Sequence, residues 1–293
     1  MSLMMGILGW DSVRNGQATV LMGGLMMHAL VDLYERRWSC SALWLCLGFA
    51  LKPLILVLML LVAALYRETR WRLAVGMVLV FVLPFAMQQP HYVLEQYLSV
   101  RQGLGAATKL AAVTYWTTLF GVLRVFGFEF SHAGTLALSA CAAVLTLAVA
   151  WRIKARLSPQ ETCILLFTLA AGYLMLFNPR TENNTYGLLG PALALAWAHA
   201  WHAKRYGLAT AHFVLALGIA FSYEVGRRFT PPEESIWLAP SCCLLFLLML
   251  PLTYGFFASA GESEVSKPEF AGSTHQLDEM TSADVPERRR RAI

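Results

Sequence analysis

Charge is scarce in this chain. Of its 293 residues only 14% are Asp, Glu, Lys or Arg, against about 25% in an average soluble domain. That scarcity excludes an ordinary soluble globular protein, and 57% hydrophobic residues with a mean hydropathy of +0.54 point the same way. Alternation is lacking too. Apolar residues come in long continuous runs rather than at every second position, which excludes a membrane β-barrel. The net charge of +5 falls in short clusters beside those runs, as membrane topology requires, and gives no reason to expect a nucleic-acid partner. Cys40, Cys46, Cys141, Cys163, Cys242 and Cys243 form no C-x-x-C pair and no Cys/His spacing suited to zinc or haem. They read as small packing residues, and no metal or cofactor is expected. A Gly-rich phosphate loop is missing; Gly23-Gly24 reads as a place of close helix packing. Ser, His and acidic residues never cluster as a triad would require. The first residues lack the basic region and compact apolar core of a signal peptide.

What is present reads as an all-α, polytopic integral membrane protein. A first span runs from about Gln17 to Val31 and ends at Glu35-Arg36-Arg37. The apolar stretch from Cys40 to Tyr66 is basic at both ends and is interrupted by Lys52-Pro53. Basic residues favour the cytoplasmic side, so one straight helix cannot satisfy both ends. Two half-helices meeting at Lys52-Pro53 do so, with Pro53 in the first turn of the second, where its missing N–H costs nothing. Lys52 would then stand at a helix N-terminus, a place suited to an anion. A single kinked span with Lys52 reaching for the interface is the alternative. Spans follow over Leu73 to Met87, Gly134 to Trp151, Thr162 to Phe177, Tyr186 to Trp201, Leu208 to Tyr223 and Trp237 to Ala258. Between the third and fourth apolar stretches, Leu110, Val113, Trp116, Leu119, Phe120 and Leu123 recur at spacings of three and four, which predicts an amphipathic helix on the outer leaflet. With this alternation every basic cluster except Arg227-Arg228 lands inside. Residues 1–258 form the membrane domain, and 259–293 read as a disordered cytoplasmic tail.

The densest polar stretch is Asn178-Pro179-Arg180-Thr181-Glu182-Asn183-Asn184-Thr185-Tyr186, set between two apolar runs. A connecting loop need only be water-soluble. This one holds the donors and acceptors that bind a polyhydroxyl or phosphate ligand, although a loop whose Asn184 or Thr185 caps the following helix is a simpler account. Taken with the hairpin, the residues assemble into a coherent site. Lys52 and Arg180 would hold a phosphate, Arg180 bidentately. Gln17, Glu182, Asn183 and Asn184 would bind sugar hydroxyls. Tyr186, Tyr92 or His91 would stack on the sugar or bond to it.

Gly16-Gln17 opening a span, Leu47-Gly48-Phe49-Ala50-Leu51-Lys52-Pro53 after a basic turn, the outer amphipathic helix and the Pro-centred polar loop before a span with Pro191 together resemble bacterial glycosyltransferase family 87 over about residues 15–255. The resemblance implies a GT-C-like helical bundle in the inner (plasma) membrane, similar to the polyprenyl-phosphomannose-dependent mannosyltransferases. It implies transfer of one sugar, mannose foremost, from a polyprenyl-phosphate-linked donor to a lipid or glycan acceptor on the extracytoplasmic face. The general base of such enzymes is an aspartate in the first outer loop, which is expected upstream of residue 1. Asn184 stands where the family's loop often has His. A transporter or flippase of a lipid-linked or anionic substrate and a non-catalytic membrane subunit are the competing readings.

Overall fold

The computed structural model describes residues 6–256 except 7, 11, 12, 16, 112–115, 232 and 233, with the backbone alone at 104–111. Asp11, Gly16, part of the expected amphipathic helix and the tail at 259–293 lie outside the described residues. Every element described is helical. In chain order these are α1 (Thr19–Tyr34), α2 (Trp38–Leu51), a 3-10 turn (Pro53–Ile55), α3 (Leu56–Leu65), α4 (Arg67–Met87), α5 (Pro90–Ala111), α6 (Leu119–Val125), α7 (His132–Arg156), α8 (Pro159–Phe177), a second 3-10 turn (Asn183–Leu189), α9 (Gly190–His202), α10 (Tyr206–Ala220), α11 (Ser222–Gly226) and α12 (Leu238–Tyr254).

Among the described residues three helices, α4, α7 and α8, are long and apolar enough to cross a membrane. The protein is an all-α polytopic membrane protein. α8 is its axis: Leu165, Leu166, Phe167, Ala170, Ala171 and Met175 are completely buried. Its start is written locally, because Ser158 and Glu161 cap each other's backbone reciprocally and Pro159 opens the first turn. α4 and α7 bury little within the chain and turn Val75, Val78, Leu79 and Val82, and Leu136, Val144 and Leu145, outward. Such faces are stable only against lipid or another apolar surface.

The hairpin forms as its charges require. α2 ends at Lys52, whose backbone is extended (φ −153°, ψ 114°), and Pro53 opens the next turn. Its two ends return to one place: the rings of Trp38 and Tyr66 lie 6.0 Å apart. α4 then runs beside α2, with Arg72 Nε donating to Ser39 Oγ at 3.0 Å near one end and the rings of Phe49 and Phe81 6.0 Å apart toward the other. Gly76 makes this approach possible, since a Cβ there would meet Cys46 Sγ at 2.5 Å. α1 runs antiparallel to α2. Trp44 Nε1 donates to Asp32 Oδ2 at 2.8 Å, and Lys52 Nζ donates to Thr19 Oγ1 at 3.2 Å.

The bundle therefore has two chemically distinct ends. At the basic end, Lys154 Nζ donates to Leu65 O and lies 4.1 Å over the Tyr66 ring. There Arg205 Nη1 donates to Leu252 O at 2.6 Å and Arg152 Nε to Phe256 O at 3.3 Å. The polar end carries Gln17, Thr19, Lys52 and the loop after α8.

Two expected elements are corrected. The helix expected through Leu110 to Leu123 is interrupted: Thr118 is extended (φ −132°, ψ 169°) and caps α6 by accepting from Gly121 N. Thr117 N donates to Thr181 O at 3.0 Å, so this segment pairs with the polar loop instead of coiling. The helix expected from Tyr186 starts only at Gly190, with Pro191 in its first turn, and neither Asn184 nor Thr185 caps it.

Candidate functional site

The loop after α8 is held by its buried residues. Thr181 is fully buried, and its Oγ1 lies 3.3 Å from both Leu174 O and Asn178 O. The Tyr186 hydroxyl reaches Thr117 O at 3.0 Å and Met175 O at 3.3 Å. The sequence casts Tyr186 as a sugar ligand. The fold puts it in the core, 1% exposed, with its hydroxyl committed to backbone carbonyls. Its work is to fix the loop, because a buried phenol must find acceptors. With Thr181 and Tyr186 turned in, Arg180 and Glu182 are turned out and Asn183 and Asn184 are half-buried.

Glu182 joins the loop to the hairpin. Its Oε2 accepts from Gln17 Nε2 at 3.0 Å and from Asn184 Nδ2 at 3.2 Å. Gln17 Oε1 accepts from Thr19 Oγ1 at 3.2 Å, and Thr19 Oγ1 accepts from Lys52 Nζ at 3.2 Å. One unbroken chain of side-chain hydrogen bonds thus runs from the ammonium at the hairpin tip to the carboxylate on the loop. Asn183 Oδ1 accepts from Ser222 Oγ at 2.6 Å, which ties the loop to α11.

Gln17, Lys52, Glu182, Asn183 and Asn184, far apart in sequence, are brought to one end of the bundle. Arg180 stands on the same loop, its guanidinium 5.1 Å from the centre of the Trp116 ring, and no described contact joins it to Lys52. His91 and Tyr92 lie exposed in the first turn of α5, where His91 Nδ1 is 3.6 Å from Glu95 Oε1. No described contact brings either to the cluster. Thr19 and Ser222, which the sequence did not single out, complete the arrangement together with Trp116, which the sequence placed only on an apolar helical face. Thr19 follows Gln17 by two residues at the start of a span, which was its only local signal. Among the described residues no group of His, Cys, Asp and Glu is placed to hold a metal ion.

A groove of about 390 Å³ leaves this cluster along α1, lined by Thr19, Val20, Gly23, Gly24, Met27 and Leu188 among others. Gly23 packs closely, since a Cβ there would stand 3.2 Å from Leu188. Gly24 instead opens on the groove, with nothing within 4 Å of a Cβ. Polar donors, an acidic acceptor and a cation are gathered at one end of an apolar, all-α membrane bundle. The sequence pattern of Glycosyltransferase family 87 matches residues 3–179, and the chain belongs to that family. It is a membrane glycosyltransferase by family. The matched stretch includes Gln17 and the Lys52-Pro53 tip and ends as the polar loop begins. No curated protein and no solved structure matches the chain.

Proposed function

We propose that this chain moves a single sugar, mannose foremost, from a polyprenyl-phosphate-linked donor to a lipid or glycan acceptor, and that it does so at the polar end of the bundle on the extracytoplasmic face of the bacterial inner membrane. The observation that carries the reading is the hydrogen-bonded bridge from Lys52 through Thr19 and Gln17 to Glu182. A lipid-phosphosugar has three parts, and each finds a counterpart. Its phosphate needs a cation near the membrane surface, which Lys52 offers at a helix break, and Arg180 adds a fork suited to phosphate oxygens. Its sugar needs directed polar groups, which Gln17, Glu182, Asn183 and Asn184 present. Its tail needs an apolar path into the bilayer. The groove along α1 begins at Thr19, whose hydroxyl already meets the Lys52 ammonium.

A membrane transporter also uses broken helices beside its substrate. Membership of a glycosyltransferase family favours transfer over transport. The test is donor use by Lys52→Ala and Arg180→Ala in reconstituted protein. Each is expected to lower transfer by about 100-fold, the scale of losing one positioned charge at a reacting phosphate. Size-exclusion and thermal-unfolding profiles should stay unchanged. Wild-type rates in both variants would sink the assignment of the phosphate site.

A further inference from the structure

We propose that Trp116 is the positioning residue of Arg180, its indole ring holding the guanidinium in place for a phosphate; this rests on the phosphate role given to Arg180 above. An exposed arginine has a long side chain with many rotamers, and fixing it costs entropy. Something must hold the head if it is to meet a phosphate as a fork. Among the described residues no carboxylate pairs with Arg180, and no hydrogen bond fixes its guanidinium. Glu182, two residues on, accepts from Gln17 and Asn184 instead. The described partner of the guanidinium is the Trp116 ring, with its centre 5.1 Å away.

The backbone builds this contact. Thr117 N donates to Thr181 O at 3.0 Å, and Thr117 O accepts from the Tyr186 hydroxyl at 3.0 Å. Both backbone polar groups of Thr117 are therefore tied to the loop. Thr181 is fully buried, which fixes the loop's side of the pairing. Trp116 stands one residue before Thr117, and Arg180 one residue before Thr181. Pairing the second residues of each dipeptide brings the first two together. Trp116 is held from behind as well, because its carbonyl oxygen packs against Gly121, 2.0 Å from where a Cβ would stand.

The indole carries a further sign of this role. Its Nε1–H is buried and has no hydrogen-bond partner among the described residues. A buried indole usually finds an acceptor, and a stranded donor costs stability. Phenylalanine would pack at this position with no donor to strand. What tryptophan adds is the aromatic face that attracts a cation most strongly. The cation is present, and it stands on the loop that the fold has tied beside the ring.

The test uses the full chain in nanodiscs with radiolabelled polyprenyl-phosphomannose as probe. Its Kd is measured through a double-mutant cycle of Trp116 and Arg180. With Arg180 in place, Trp116→Leu is expected to weaken donor binding about tenfold, and Trp116→Phe, which keeps a weaker ring, about threefold. In an Arg180→Ala background the same two changes are expected to shift the Kd by less than about twofold, since no guanidinium is left to hold. A tryptophan that served packing alone would cost the same in both backgrounds. Equal losses in the two backgrounds, or a wild-type Kd in Trp116→Leu, would overturn the proposal and leave the glycosyltransferase reading standing. Wild-type donor binding by Arg180→Ala would overturn the phosphate role of Arg180, and this proposal with it.

Discussion

A lysine at the tip of an apolar hairpin is tolerable only if its ammonium has a polar partner, and Thr19 is that partner at 3.2 Å. The pairing explains why Gln17, Thr19 and Lys52 belong together although 35 positions separate the first from the last. Lys52, Gln17 and the Glu182 loop were legible in the sequence because polar residues stand out against apolar runs. Tyr186, His91 and Tyr92 show the limit of that signal. Composition gives the chemistry of a side chain but not its direction, and on a tight 3-10 turn Tyr186 points inward while Asn184 does not. The same holds for Gly23-Gly24, where one glycine packs and its neighbour opens on a groove. If that groove takes the donor's tail, Gly24→Leu obstructs it from a position where a Cβ meets nothing within 4 Å. We expect an increase in the KM for polyprenyl-phosphosugar of about tenfold, which is about 1.4 kcal/mol, with unfolding unchanged. Steady-state kinetics over a donor series checks this, and an unaltered KM would remove the groove from the site.

At the scale of elements, the hairpin was readable because electrostatics and proline agree: two basic ends and one Pro admit few arrangements. The helix expected through Leu110 to Leu123 failed for a physical reason. Its apolar period continues across Thr117 and Thr118, but Thr117 is bonded to the polar loop through Thr181 O and the Tyr186 hydroxyl, Thr118 is extended as the cap of α6, and periodicity carries no trace of such bonds. The turn between α1 and α2 was legible only as a basic cluster. In the structure Asp32, 5% exposed, fastens it by accepting from Trp44 Nε1 at 2.8 Å and pairing with Arg37 Nη2 at 2.5 Å. Removing the carboxylate strands the indole N–H and leaves Arg37 with Glu35 as its acidic partner. Asp32→Ala is therefore expected to destabilise the protein by about 2–3 kcal/mol, read from denaturant or thermal unfolding in detergent. A loss below about 0.5 kcal/mol would show that the clasp contributes little.

The whole molecule is organised by its two ends. Basic side chains close one, where Lys154 and Arg205 reach backbone carbonyls of neighbouring helices. The loop after α8 and the hairpin tip close the other. On the proposed reading, the outward apolar faces of α4 and α7 meet lipid, and a lipid-borne donor would reach the polar end laterally without crossing the bilayer. The most direct measurement is of the chain in vesicles of one orientation, supplied with radiolabelled polyprenyl-phosphosugar and acceptor from one side at a time. The account predicts labelled acceptor and free polyprenyl phosphate in equal amounts, formed only when both substrates meet the side bearing the Glu182 loop. Labelled donor that crosses the membrane uncleaved, or transfer confined to the side of the basic end, would contradict it.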